Sequence, residues 1–353
     1  MTGPLSDSKS SILEMNSKII SFLRFPLIFG VVIIHSACKT GNVLTDSMSV
    51  LFSDIIAKVS VPCFFLISGY LFFVNIERLL YKQYARKIRT RFKSLLIPYL
   101  IWIIIPIIIL LIKNREFLSF SETLRLFWDV DSSTRTNLLG WPIKIAFPIN
   151  GPLWFMRDLI ILCILSPIIY YFIRFCKYWG IILLGGVYVF QIWPYITLES
   201  MSVFFFSLGS YLGVYKKSLV LEFKSMYIVT PLLVFACFFL YHTPYFNSLL
   251  SLYNIVAVFV VLMVASKCVS RNHHVKPSVA QSSMFVYVTH RIYIIGIIQS
   301  IVLPALFLHK TNSICLVSEY LLTPIVTVGI CFVIFILLKK IVPTFLNYSL
   351  GGR

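Results

Sequence analysis

From Ile19 to Cys38 the chain runs for twenty residues as a succession of Ile, Leu, Phe and Val, with Arg24 and His35 its only basic side chains. At 1.5 Å per residue such a run matches a hydrocarbon layer of about 30 Å. Comparable runs recur at 55–74, 95–112, 153–173, 179–195, 201–215, 227–241, 248–266, 283–308 and 320–338, giving ten expected spans. Inside lipid every backbone N–H and C=O needs an internal partner, and uninterrupted apolar runs meet that need only as helices. The expectation is an all-α, polytopic membrane fold. Composition agrees: 59% of the 353 residues are hydrophobic and 12% charged, against roughly 45–50% and about 25% in soluble domains.

Basic residues orient the spans. With a cytoplasmic N-terminus, Lys82, Arg86, Lys87, Arg89, Arg91 and Lys93 follow the second span on the inside, as do Arg174 and Lys177, Lys216 and Lys217, Lys267 and Arg271, and Lys339 and Lys340. The outer connections hold few: Lys39, Lys113, Arg115, Arg125, Arg135, Lys144 and Lys310. This is the positive-inside pattern, and it puts both termini in the cytoplasm. The net charge of +18 is then largely topology, and no basic, aromatic-studded soluble face points to nucleic acid. The organisation read from this is a cytoplasmic tail over 1–18, one transmembrane domain over 19–340 and a C-terminal tail over 341–353. The polar first eighteen residues do not resemble a cleaved signal. Eight cysteines stand singly, mostly in apolar runs, as small core residues rather than a disulfide or zinc framework. The outer connection 113–150, with Trp128, Trp141, Pro142 and Pro148 among charges, suits an interfacial helix and loop over the outer mouth.

Ionisable groups at membrane depth are costly, and each is a site candidate. They are Arg24, His35, Lys58, Arg157, Asp158, His290 and Arg291. Arg24 and His35 are eleven residues apart, three turns plus about 20°, so they share a helix face with about 16 Å between them along the axis. His35 is expected deep in the outer half. A snorkelling Arg and a hydrogen-bonded packing His would give the same spacing. In FFLISGYLFF (Phe64 to Phe73), Ser68 and Gly69 interrupt bulky residues; a close helix neighbour and a ligand both suit that gap. GPLWFMRDL (Gly151 to Leu159) reads as a helix start with an interfacial Trp154; Arg157 and Asp158, about 100° apart, need not pair with each other and are expected to meet other helices or the outer mouth. SMFVYVTHRI (Ser283 to Ile292) puts His290 one short turn after Tyr287, and a structural His fits there too. The basic cluster Arg78 to Lys93 attracts anionic lipid and equally forms a funnel for a polyanionic ligand.

These pieces, the Arg24-x10-His35 pair, FFLISGYL, basic residues leading into LLIPYLIW, GPLWFMRDL and MFVYVTH, in this order over most of the chain, resemble membrane-bound acyltransferase family 3. Its members O-acylate exported glycans, peptidoglycan, lipids and related acceptors. The resemblance implies a bacterial cytoplasmic membrane enzyme with a cytosolic acyl-CoA, usually acetyl-CoA, as donor substrate, no permanently bound cofactor and no metal. It implies His35 as the catalytic imidazole with Arg24 serving the donor. Ser68, Arg86, Arg89, Arg91, Trp154, Arg157, Asp158, Tyr287 and His290 are carried as donor- or acceptor-binding residues. The expected partners are acyl-CoA, a glycan or lipid-linked glycan and membrane lipids, with a homo-oligomer compatible. The chain lacks the extracytoplasmic hydrolase-like domain that some relatives append, and so looks like the simpler exopolysaccharide and surface-antigen acetyltransferases.

Acyl transfer suits so sparse a set of polar groups. A thioester is already activated, so the enzyme must position a hydroxyl, take its proton and stabilise an oxyanion. An imidazole, with an ordinary pKa near 6.5, is largely free base at neutral pH. Either His35 deprotonates the acceptor in a ternary complex or it carries the acyl group transiently. The rivals are a transporter or flippase of a glycan or lipid-linked intermediate, disfavoured by the absence of an inverted repeat, and a non-catalytic subunit of a polysaccharide synthase.

Overall fold

The computed structural model describes residues 4–114, 119–128, 131–136, 142–193, 198–221, 223–307 and 312–352. Among them six helical segments are long and apolar enough to cross a membrane: Ile12–His35, Val43–Phe73, Tyr81–Ile112, Ser166–Val189, Phe246–Ser270 and Ser313–Ile341. A seventh results if Pro277–Ile295 and Ile298–Leu306, bent by 42°, form one span. The chain is thus a multi-pass membrane protein, with fewer full-length spans than the ten expected. Two of the expected spans, Ser200–Val214 and Met226–Phe239, would rise only about 22 Å and 21 Å, short of the hydrocarbon thickness.

Helix α1 (Pro4–His35) ends at His35, three residues before the apolar run does. The Ser36 amide and hydroxyl both turn back to the Val32 carbonyl. The imidazole therefore stands on the last residue of the helix. After α2 (Val43–Ser49), a π turn (Val50–Ile55) and a 3-10 turn (Ile56–Val59) lead into α3 (Ser60–Phe73). Ser53 donates to the Ile33 carbonyl, so this segment starts beside the His35 end of α1. Asn16 donates to the Tyr70 hydroxyl, so α3 finishes near the opposite end. Helix α4 (Tyr81–Arg91) therefore begins at the Arg24 end, followed by α5 (Ile97–Asn114).

The expected interfacial helix is α6 (Phe120–Trp128). Beyond it the otherwise helical fold carries a small antiparallel hairpin of β1 (Asp131–Thr136) and β2 (Pro142–Phe147). In sequence, PIKIAF alternates Ile143, Ile145 and Phe147 with Lys144 and Ala146, a period-two pattern that favours a strand. Trp141 lies outside the described residues.

Helix α7 (Trp154–Ile164) and α8 (Ser166–Val189) follow. Inside α8, Lys177 takes φ 50°. A methyl placed on Gly180 would come within 2.8 Å of the Phe172 ring, although eight residues of straight helix put about 12 Å between them. The chain therefore doubles back at Lys177, so that Ser166–Val189, long enough to cross by residue count, is two shorter helices; Lys177 lies in the basic loop expected between the fourth and fifth spans. Next come α9 (Ser200–Val214), α10 (Met226–Phe239), α11 (Phe246–Ser270) and α12 (Pro277–Thr289). A short α13 (Leu303–Leu306), the long α14 (Ser313–Ile341) and α15 (Pro343–Ser349) complete the order.

The closest helix contact is α3 on α9. Side chains built on Gly69 and Gly209 would overlap the carbonyls of Phe206 and Leu66 respectively. Small residues let two backbones touch, and dispersion then holds helices that gain nothing from leaving lipid. Phe65, Phe72, Phe205 and Phe206, all under 2% exposed, pack around this seam.

Candidate active site

A cavity of about 1620 Å³ runs along α1. The α1 residues on its wall are Ile20, Arg24, Ile28, Val31, Ile34 and His35, spaced by threes and fours as one helix face requires. Arg24 and His35 thus share this wall, as their spacing predicts. Ser68 is on it too, while Gly69, one position on and about 100° round the helix, abuts α9. Gly69 thus meets the close helix neighbour that this gap suits, and Ser68 faces the cavity. Trp154 and Tyr287 also line the cavity.

At the Arg24 end the wall carries Thr90, Arg91, Ser94, Gln281 and Ser283. Arg86 and Arg89 are exposed and are not on this wall. Two residues along a helix turn 200°, so Arg89 faces away when Arg91 faces in. At the His35 end lie Asp54 and Lys58, 4.0 Å apart. Tyr241, whose hydroxyl donates to Asp54 at 2.9 Å, and Glu199 and Asn254 continue the wall.

Arg157 and Asp158 reach other helices, as expected, and reach each other as well. They do pair: Arg157 Nε and Nη2 donate to Asp158 Oδ1 at 3.2 and 3.0 Å. An arginine is long enough to curl back onto its neighbour. The second carboxylate oxygen accepts from the Glu199 amide at 3.2 Å and the Ser202 hydroxyl at 2.9 Å at the start of α9, and Arg157 donates to the Trp128 carbonyl. Both are almost wholly buried and neither is on the cavity wall. They tie α7, α9 and the end of α6 together.

The start of α7 is fastened to α12. Tyr287 donates its hydroxyl to the Pro152 carbonyl at 2.5 Å, and Asn150 donates its amide to the Val288 carbonyl at 3.1 Å. Gly151 leaves room for Arg291: a methyl there would stand 3.1 Å from its guanidinium. Arg291 Nη1 lies 3.4 Å from His35 Nδ1. A guanidinium only donates, so Nδ1 is an acceptor and the neutral His35 ring carries its proton on Nε2. The lone pair of His35 thus faces the cavity wall where Arg291 stands.

His290 is fully buried, off the cavity wall, with its ring 5.1 Å from that of His35. Arg291 was visible in sequence as a charge at membrane depth but had no role there. Its adjacency to His290 was the available signal, and what hid it was the geometry after α12, where a π turn (His290–Ile295) begins. Such a turn takes an extra residue, bringing neighbouring side chains nearer one direction, and is frequent at functional sites. Lys58 was passed over in the same way.

A helical membrane bundle with an imidazole and guanidinia around one long cavity defines a class, the multi-pass membrane proteins with an internal reaction-sized chamber. A family model described as an acyltransferase domain matches residues 18–339, and the chain belongs to this acyltransferase 3 family. It is also similar to the succinoglycan biosynthesis protein ExoH of Rhizobium meliloti (strain 1021), 29% identical over 158 residues, which are 42% of this chain and 41% of that relative. The chain therefore aligns with less than half of that relative's length. No solved structure matches it.

Proposed function

We propose that this protein is an O-acyltransferase of the bacterial cytoplasmic membrane that moves an acyl group, acetyl in the first instance, from cytosolic acyl-CoA to a hydroxyl of a surface or exported glycan. The observation that carries the reading is one cavity with Arg24 and Arg91 towards one end and His35 with Arg291 at the other. In this reading both termini are cytoplasmic and ten helical passes are made, the doubling back at Lys177 supplying one boundary. The donor's phosphates meet Arg24 and Arg91 by charge-assisted bonds, and the less polar pantetheine arm threads the chamber. In the step Arg291 moves from His35 Nδ1 to the thioester carbonyl oxygen, where it stabilises the oxyanion, and the Nδ1 lone pair it leaves takes the acceptor's proton. A chamber of this volume exceeds the 300–1,000 Å³ of ordinary single-ligand pockets, which suits a donor and an acceptor held together. The polysaccharide named in the ExoH relative supports the glycan class of acceptor.

The test supplies radiolabelled acetyl-CoA to membranes holding wild type or His35→Ala. Label entering a glycan only with wild type is expected. Equal labelling by a well-expressed His35→Ala protein would remove His35 from the chemistry.

A further inference from the structure

His290 has an unused half. Its Nδ1 lies 2.9 Å from two acceptors, the Val286 and Tyr287 carbonyls, so that nitrogen bears the proton and Nε2 is a bare lone pair. Nε2 is buried without a hydrogen-bond partner, a costly condition for a polar atom in a protein interior. His35 has the complementary vacancy. With Nδ1 accepting from Arg291, its N–H is on Nε2, and none of the described residues accepts a hydrogen bond from it. The rings stand 5.1 Å apart, tilted by 40°, a separation that a modest rotation closes into an N–H···N bond of about 3 Å.

We infer that His290 is the positioning residue of His35: its Nε2 accepts the His35 Nε2–H and so holds the imidazole with Nδ1 aimed at the acceptor hydroxyl. The logic is that of a base oriented by a third group, with a neutral imidazole in place of the usual carboxylate. The inference rests on the proposed acyl transfer for its catalytic meaning. In the step itself the acceptor O–H proton moves to His35 Nδ1 while the oxygen bonds to the thioester carbonyl carbon. The C–S bond then breaks and the thiolate leaves with the proton from Nδ1. His290 exchanges no proton; its hydrogen bond steadies the transient imidazolium. Two backbone carbonyls on its own Nδ1–H fix its tautomer, so the acceptor side always faces His35. The π turn that starts at His290 is what lets it and Arg291 address the two nitrogens of one ring.

The experiment uses the full chain in lipid nanodiscs, labelled with ¹⁵N in its histidines, His35 being assigned by its loss in His35→Asn. The wild type is expected to show a through-hydrogen-bond coupling between His35 and His290. His290→Phe should shift the His35 Nε2 resonance towards an unbonded N–H. It should also lower kcat about 10- to 100-fold, as loss of a hydrogen bond to a charged group implies, with KM for acetyl-CoA unchanged. His290→Gln, whose amide oxygen accepts, should recover much of the rate. Absence of the coupling in wild type, a His35 resonance unmoved by His290→Phe, or a Gln variant no better than Phe would overturn the inference. If the coupling is present but wild type transfers no acyl group, the dyad stands and the proposed function falls.

Discussion

Replacing Asp158 with Asn separates a structural latch from a catalytic carboxylate. The carboxylate receives four hydrogen bonds, two from Arg157 on Oδ1 and one each from the Glu199 amide and Ser202 hydroxyl on Oδ2. An amide keeps one oxygen, so whichever way it faces, either the guanidinium or the start of α9 loses its acceptor. It also removes the negative charge that faces the guanidinium of Arg157, which is 3% exposed. Removing one partner of a buried pair costs about 3–5 kcal/mol. At about 2 °C per kcal/mol in a chain of this size, the expected fall in Tm is roughly 6–10 °C. Removing both charges with Arg157→Met and Asp158→Leu should cost far less, because a buried pair roughly balances its own desolvation. The assay is thermal unfolding of detergent-solubilised protein beside acyl transfer measured well below either Tm. Asp158→Asn is expected to lose stability and keep most of its rate at low temperature. An unchanged Tm with transfer abolished would refute the latch and return Asp158 to the chemistry.

Three further outcomes are expected. Arg91→Ala should raise KM for acetyl-CoA by about tenfold or more, the loss of one charge-assisted hydrogen bond, whereas Arg86→Ala and Arg89→Ala should change it by less than about threefold; steady-state kinetics with varied donor checks both. Gly69→Val puts side-chain atoms where the Phe206 carbonyl sits and should prevent α3 from seating on α9, seen as loss of monodisperse protein in size-exclusion chromatography, while Ser68→Ala at the next position should purify normally. In a cysteine-free background, a single cysteine at Asn42 should react with an impermeant maleimide added to intact cells and one at His273 only after lysis; the reverse pattern would invert the topology.

How much was legible in the sequence follows from how local each signal is. Membrane residence and the helical nature of the spans are one-dimensional properties: run length, apolar content and the position of Lys and Arg are read along the chain. The shared face of Arg24 and His35 was equally legible, since helix periodicity is a local rule and α1 is continuous between them. The end of α1 at His35 was not, because the apolar run continues to Cys38 while the backbone turns away at Ser36.

What only the tertiary structure decided depends on elements far apart in sequence meeting. Arg157 and Asp158 look like two separate charges until the start of α9 arrives to occupy the second carboxylate oxygen. Arg86, Arg89 and Arg91 are one basic run in sequence, yet only the last turns to the cavity, because the rotation of α4 is set by its packing and not by its charges. His290 and Arg291 reach His35 across 255 and 256 positions through a π turn that no periodicity announces. A membrane chain writes its solvent into its composition, but which polar groups share one chamber is settled where helices cross.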